Sequence, residues 1–334
     1  MAARAAIFGC AGPELTPEEG RFFAEAAPWG FILFARNVES PAQLRRLTDA
    51  LRDSVGRDAP VLVDQEGGRV ARLRPPHWRE WLPALEECAR LPAARRGRAM
   101  HLRYRLIAGE LRAAGIDVDC APVLDVARAE THAIIRNRCY GGDPGGVAAI
   151  GRAVAEGLLA GGVLPVIKHM PGQGRAPLDS HLELPLVEAD RAALAEDFAP
   201  FRALADLPMA MTAHVVYAAI DPGAPATLSP VVVRLMREEI GCGGLLMTDD
   251  ISMRALSGGL GERAARALAA GCDVVLHCNG DPAEMAAVAA AVPELAGAAA
   301  ARAEAALARR AEAAGADEAA LWAEFAALRE GADA

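Results

Sequence analysis

The sequence predicts an α/β protein folded as a single (β/α)8 TIM barrel with extra C-terminal helices. Three observations carry this prediction. One unit recurs along the chain: an amphipathic helix, a glycine, a short apolar strand and then a polar residue. The strands are almost continuously apolar, which implies burial on both faces and therefore parallel strands covered by helices. Eight such strands can be placed, and 334 residues accommodate a barrel of about 250 residues with additions.

The repeated unit is clearest in LRAAGIDVDCAPV (111–123), LLAGGVLPVIKH (158–169), REEIGCGGLLMTDD (237–250) and LAAGCDVVLHCN (268–279). In each, the glycine after the helix suits a left-handed terminating position. The remaining strands are AAIFGC (5–10), GFILF (30–34), PVLVD (60–64) and PMAMTAH (208–214). Between them, helix starts and stops are readable. Ser40-Pro41 supplies an N-cap and a first-turn proline, Leu44, Leu47 and Leu51 share one face, and Gly56 ends the helix. Ser229-Pro230 starts another helix that ends before Gly241. An open, doubly wound sheet has the same alternation and stands as the alternative. No second domain is visible. The barrel core is expected over about 5–282, and the Ala-rich stretch 283–334 is expected to form terminal helices on the barrel's outside.

Composition narrows the function. The chain is 53% hydrophobic and 24% charged, which is ordinary for a globular enzyme. Its net charge of −9 and the absence of a basic stripe argue against nucleic acid as a partner. No apolar run reaches the ~18 residues of a membrane span, and Glu14, Glu18 and Glu19 come too early for a secretory leader. The seven cysteines are scattered without a CxxC pair, and most lie in or beside apolar strands. They are expected to be core residues of a protein in a reducing compartment, hence cytoplasmic, and no metal site is expected from them. Neither GxGxxG nor GxxxxGK[ST] occurs, so nucleotide binding is unsupported and no cofactor is expected.

The chemistry lies at the strand ends. Asp64, Asp125, Lys168-His169, His214, Asp249-Asp250 and Asn279 each follow an apolar strand. In a parallel barrel all these ends open on one face. A lone Asp past a strand is commonly an N-cap for the next helix, but a cap requires neither His nor Lys. In TDD (248–250), one carboxylate can attack as a nucleophile while its neighbour is held by hydrogen bonds; capping of the following helix is the plainer alternative. VIKHMPGQGRAPLDSHLELP (166–185) is Gly/Pro-rich and reads as a loop. Its Asp179-Ser180-His181 can deliver an imidazole whose ring N–H is held by the carboxylate, although an ordinary solvated loop would look similar. VDQEGGRVARL (63–73) sets Asp64 beside Arg69 and Arg72, groups suited to sugar hydroxyl and carbonyl recognition.

Together these segments resemble family 3 glycoside hydrolases. ILFARNVESPAQLRRLTDALR (32–52), LVDQEGGRVARL, APVLDV (121–126), KHMPGQG…DSHLELP, MTAHVVY (211–217), TLSP (227–230) and MTDDISM (247–253) occur in the family's order, over roughly residues 5–280. More narrowly, the set looks like the bacterial β-N-acetylglucosaminidases of the cell-wall-recycling type. The resemblance implies a retaining β-N-acetylhexosaminidase acting on small carbohydrates such as muropeptides. It also implies Asp249 as nucleophile, His181 as general acid/base and Asp179 as its supporting carboxylate. Asp64, Arg72, Arg138, Lys168 and His169 match the positions that hold the N-acetylated sugar. The chain departs from the family pattern at several points. Gln173 stands where a second His is common, Met170 replaces Phe, and Thr248 replaces Ser. The loop reads GRAPLDSH, and Cys139-Tyr140 replaces a small residue and Phe. Two rival readings remain at this level: a lyase or aldolase using Lys168 as a Schiff-base amine, and a catalytically silent sugar-binding protein.

Overall fold

The computed structural model describes residues 2–310 and 315–330. Eight parallel strands form a closed barrel: β1 (Arg4–Gly9), β2 (Pro28–Leu33), β3 (Val61–Val63), β4 (Val118–Asp119), β5 (Leu164–Met170), β6 (Met209–Thr212), β7 (Leu245–Asp250) and β8 (Val274–His277). Each pairs with its neighbour in chain order, and β8 closes on β1 through Ala6–Val275 and Ile7–Leu276. That last pairing excludes the open sheet. The regular part of β4 is shorter than its apolar run, because Pro122 has no N–H to give. The ladder nevertheless continues, with Val166 N–H donating to Ala121 O and Leu124 N–H to Lys168 O.

The helices are α1 (Pro17–Ala26), α2 (Pro41–Val55), α3 (Ala84–Arg90), α4 (Ala93–Ala113), α5 (Ala133–Arg136), α6 (Pro144–Ala160), α7 (Arg191–Ala203), α8 (Pro230–Glu238), α9 (Leu260–Ala270), α10 (Pro282–Ala291), α11 (Gly297–Leu307) and α12 (Glu318–Glu330). Five of them, α1, α2, α6, α8 and α10, begin with a Thr, Ser or Asp N-cap and a first-turn proline. The side-chain oxygen takes up an orphan backbone N–H, and the proline occupies a position with no N–H to lose. The predicted helix-ending glycines 56, 115, 241 and 271 all have positive φ. After α6 it is Gly162 that turns left-handed.

Period-2 alternation divides the apolar residues into two layers. Ile7, Ile32, Leu62, Val166, Met247 and Leu276 point into the barrel. Phe8, Phe31, Leu33, Val63, Leu246 and Val275 face the helices.

The C-terminal region corrects two expectations. The eighth barrel helix, α10, follows β8 and starts at Pro282, so the βα core runs past residue 282. And α11 does not lie on the outside. Its Ala303 and Ala306 are buried against the same cluster as the barrel interior, so it closes the end where the strands begin. Small side chains permit that approach. Arg302 holds Asp273, and Arg310 reaches Asp117 at 2.7 Å. Past α11, α12 packs externally, where Trp322 and Phe325 meet Trp81. The rest of the predicted terminal helical stretch, 311–314 and 331–334, lies outside the described residues.

If α11 is such a plug, adding bulk there must cost stability. Ala306→Leu is expected to lower the unfolding free energy by about 1–3 kcal/mol. A denaturation midpoint equal to wild type would contradict this packing.

Candidate active site

The inward alternation that builds the core also builds the site. Two residues past Leu62, Val166, Met247 and Leu276 stand Asp64, Lys168, Asp249 and Cys278, all lining one cavity of about 360 Å³ at the C-terminal mouth of the barrel. Two strand ends depart from strict alternation. A register shift between Ile167 and Met170 lets consecutive Lys168 and His169 both face the cavity. A second shift, between Met247 and Asp250, does the same for Asp249 and Asp250. Bulges of this kind re-aim side chains at strand ends.

All eight residues singled out from the sequence, Asp64, Arg72, Arg138, Lys168, His169, Asp179, His181 and Asp249, line this cavity. Of the other polar strand ends, Asp125 and His214 sit behind its wall, while exposed Asn279 bonds Glu284 away from it.

The floor is an ion cluster. Lys168 Nζ lies 2.7 Å from Asp64 Oδ1 and 2.7 Å from Glu66 Oε1. Arg72 donates to Asp64 Oδ2 at 2.9 Å. Arg138 binds Glu66 with both arms, at 2.8 and 2.7 Å. Burial raises the Asp64 carboxyl, yet Lys168 and Arg72 outweigh it and hold it well below the usual range. Glu66 is likewise lowered to about 2, with Arg138 and Lys168 overcoming burial. For Lys168 burial acts downward, but the two carboxylates prevail and hold the ammonium above the usual lysine range. A Schiff-base amine must shed its proton to attack; this one is locked as a cation between two anions, which removes the lyase alternative.

Glu66 was not singled out from the sequence. It lies within the quoted VDQEGGRV, but Asp64 drew attention there as the strand end. Its position comes from the hairpin of Gln65–Gly67 with Val70–Ala71. Gly67 turns that hairpin at φ 100°, with the Leu82 carbonyl 2.8 Å from where a Cβ would stand. This opening lets buried Arg103 reach the Glu66 carbonyl at 2.7 Å. Phe34 was missed too. It forms an apolar wall, with the Arg36 and Arg72 guanidiniums 5.0 and 5.2 Å from its ring centre.

Asp249 is half-buried, and its Oδ1 accepts the Asp250 N–H at 2.8 Å. Burial pushes its carboxyl up, but the His169 and His214 imidazoles outweigh that and hold it below the usual carboxylate range. Both imidazoles are fixed. His169 Nδ1 is 2.7 Å from Asp125 Oδ2. His214 Nε2 donates to the Asp250 carbonyl at 3.0 Å, with its Nδ1 2.7 Å from Thr227 Oγ1. Capping is not the role of Asp249: α9, the next helix, is preceded by Gly259.

Above this floor stands the loop after β5. His181 is exposed, and its Nδ1 lies 2.7 Å from Asp179 Oδ1. Burial acts upward on Asp179, but hydrogen bonds from the His181 backbone and ring hold it below its usual range. An ionised carboxylate on Nδ1 fixes the tautomer and leaves Nε2 free to exchange a proton with a substrate. The cavity thus brings an anionic carboxylate and an oriented imidazole to a single pocket floored by charged hydrogen-bonding groups. Among the described residues no His/Cys/Asp/Glu group is arranged to hold a metal ion.

Residues 24–312 match the glycosyl hydrolase family 3 N-terminal domain. A β-hexosaminidase from Alkalilimnicola ehrlichii is 41% identical over 281 residues, 82% of this chain and 80% of that protein. One from Pseudomonas aeruginosa is 38% identical over 275 residues, 80% of each. Among solved structures, native NagZ from Neisseria gonorrhoeae superposes with a TM-score of 0.84 at 32% identity, covering 99% of this chain and 97% of that one. The same protein has been solved in complex with N-trifluoroacetyl-D-glucosamine. With a profile match across most of its length and such relatives, the chain belongs to glycosyl hydrolase family 3.

Proposed function

We propose that this family 3 glycoside hydrolase, of the β-N-acetylhexosaminidase type, removes terminal β-linked N-acetylglucosamine by retaining double displacement. The observation that carries the reading is the shared cavity of Asp249 and the Asp179–His181 pair. In the first step the Asp249 carboxylate attacks the anomeric carbon, the glycosidic C–O bond breaks, and His181 Nε2 gives its proton to the leaving oxygen. A covalent glycosyl-enzyme forms. In the second step neutral His181 takes a proton from water, the resulting hydroxide attacks the same carbon, and Asp249 leaves. Retaining glycosidases generally use two carboxyl groups for these roles; here an imidazole replaces one of them.

Asp64, Arg72, Arg138, Lys168 and His169 are assigned to the sugar. Their cavity falls within the size range of small-molecule sites, and a relative binds an N-acylated glucosamine. Glu66 is assigned a supporting role, keeping Arg138 and Lys168 in place. The natural substrate we propose is a peptidoglycan-derived anhydromuropeptide, on the strength of the motif set. Seven free cysteines support a cytoplasmic setting. Among the described residues no helix is long and apolar enough to cross a membrane. The chain is taken to act as one barrel unit.

Incubation with a slow 5-fluoro or 2-fluoro glycosyl substrate should label the peptide bearing Asp249; a label on any other residue would overturn the assignment. Asp249→Ala should lower kcat by at least ~10³-fold, about 4 kcal/mol of barrier, and near-normal turnover would be decisive against it. Glu66→Gln leaves two buried cations short of a partner. Such a loss typically costs about 3–5 kcal/mol, so a clear drop in stability and a raised KM are expected. A fourth outcome concerns pH. Carboxyls lowered on folding stabilise above their unfolded pKa and lose that contribution as pH falls through the folded value. For Glu66 this window runs from the unfolded glutamate value of about 4.3 down to about 2. Acid unfolding of wild type should steepen there, and Glu66→Gln should flatten it; identical profiles would refute the lowered Glu66.

A further inference from the structure

We propose that Gln173 is a positioning residue for the acid/base, clasping the tip of the His181 loop to its root; this rests on the reading of His181 given above. The loop has two parts. Its root is tied to the barrel. Tyr217 Oη donates to Gly172 O at 2.8 Å, Gln173 N–H to Asp125 Oδ1 at 2.6 Å, and the Thr131 hydroxyl to Gly174 O. Arg175 pairs with buried Asp197 on α7. Its tip, Asp179-Ser180-His181, is held mainly by bonds within itself. From β7's side come two long backbone contacts, Arg254 N–H to His181 O at 3.4 Å and Ala255 N–H to Ser180 O at 3.3 Å.

The remaining tie is a side chain. Gln173 Nε2 lies 3.2 Å from Ser180 Oγ, and both residues are buried, 1% and 3% exposed. Ser180 stands between the two members of the pair, so displacing it moves both. Water does not compete for a buried bond, which makes it a stricter positional constraint than an exposed one. The same amide also has a cost. Gln173 Oε1 is buried without a hydrogen-bond partner, and an orphaned buried acceptor is destabilising. An apolar side chain of the same length would remove this orphan but leave the buried Ser180 hydroxyl without its partner, so one unmet group replaces another and stability changes little. Geometry at His181, not stability, is what the amide supplies.

The chemistry separates these two roles. His181 protonates the leaving oxygen in the first step, and kcat/KM reports that step. An alkyl glycoside depends on this proton, whereas a 2,4-dinitrophenyl glycoside leaves without it. For Gln173→Met, kcat/KM on methyl β-N-acetylglucosaminide should fall roughly 10- to 100-fold. On the 2,4-dinitrophenyl substrate it should change by less than about 3-fold, since general acid assistance is not needed there. The melting temperature should stay close to wild type, since one buried orphan is exchanged for another. Ser180→Ala should show the same substrate pattern, and the double variant should lose no more activity than either single one. Equal losses on both substrates, no loss on either, or additive losses in the double variant would overturn the proposal. Wild-type protein inactive on both substrates would instead overturn the glycosidase reading beneath it.

Discussion

Lys168 wedged between Asp64 and Glu66 is the contact on which the site depends. These three groups come from β3, the hairpin after it and β5, and the ammonium joins them at 2.7 Å on both sides. Arg72 and Arg138 complete the cluster on its outer sides. Asp64, Glu66, Asp179, Asp249 and Asp250 stand against Arg69, Arg72, Arg138 and Lys168, so the barrel mouth carries opposed charges without a large local excess. Buried ions are tolerated only when so paired and hydrogen-bonded. The cluster is not a stability device in the first instance; hydrophobic side chains would fill the space more cheaply. It presents a rigid set of donors and acceptors to a polar ligand.

The same logic divides labour among the carboxylates. Asp64, Glu66, Asp179 and Asp249 are each drawn towards ionisation by a neighbour, yet the neighbours differ. Asp64 and Glu66 are saturated by fixed cations and have no proton to trade. Asp179 is committed to one imidazole nitrogen. Asp249 is lowered by imidazoles standing nearby and keeps one oxygen, Oδ2, outside any hydrogen bond among the described residues. Such an oxygen is what a nucleophile requires. The proposed acid/base, His181, is kept apart from this cluster on an exposed loop, where an imidazole can exchange a proton with substrate and water.

The departures from the family pattern acquire physical meaning in this frame. Thr248 is buried and its hydroxyl accepts the Leu276 N–H at 2.9 Å, stitching β7 to β8 beside Asp249. Met170 and Cys139 are fully buried core residues. Arg175, part of the altered loop sequence, anchors that loop to α7 instead of facing the cavity.

Much of this was written in local sequence. Apolar runs, proline-bearing caps such as Ser40-Pro41 and left-handed glycines such as Gly115 specify strands and helices because they act over a few residues. Polar strand ends identified Asp64, Lys168, His169 and Asp249 once a parallel barrel was assumed, since all such ends share one face. Other features needed the folded chain. Closure of β8 on β1 separates a barrel from an open sheet, and no local signal encodes that pairing. Register shifts in β5 and β7 turn consecutive side chains into one cavity, because register is set by the neighbouring strand. Glu66 joins the floor only through partners about 70 and 100 residues away. And α11 plugs the barrel because its alanines fit a hole made by strands spread across the whole chain. Composition and periodicity decide what each segment becomes; which distant groups meet is decided by packing.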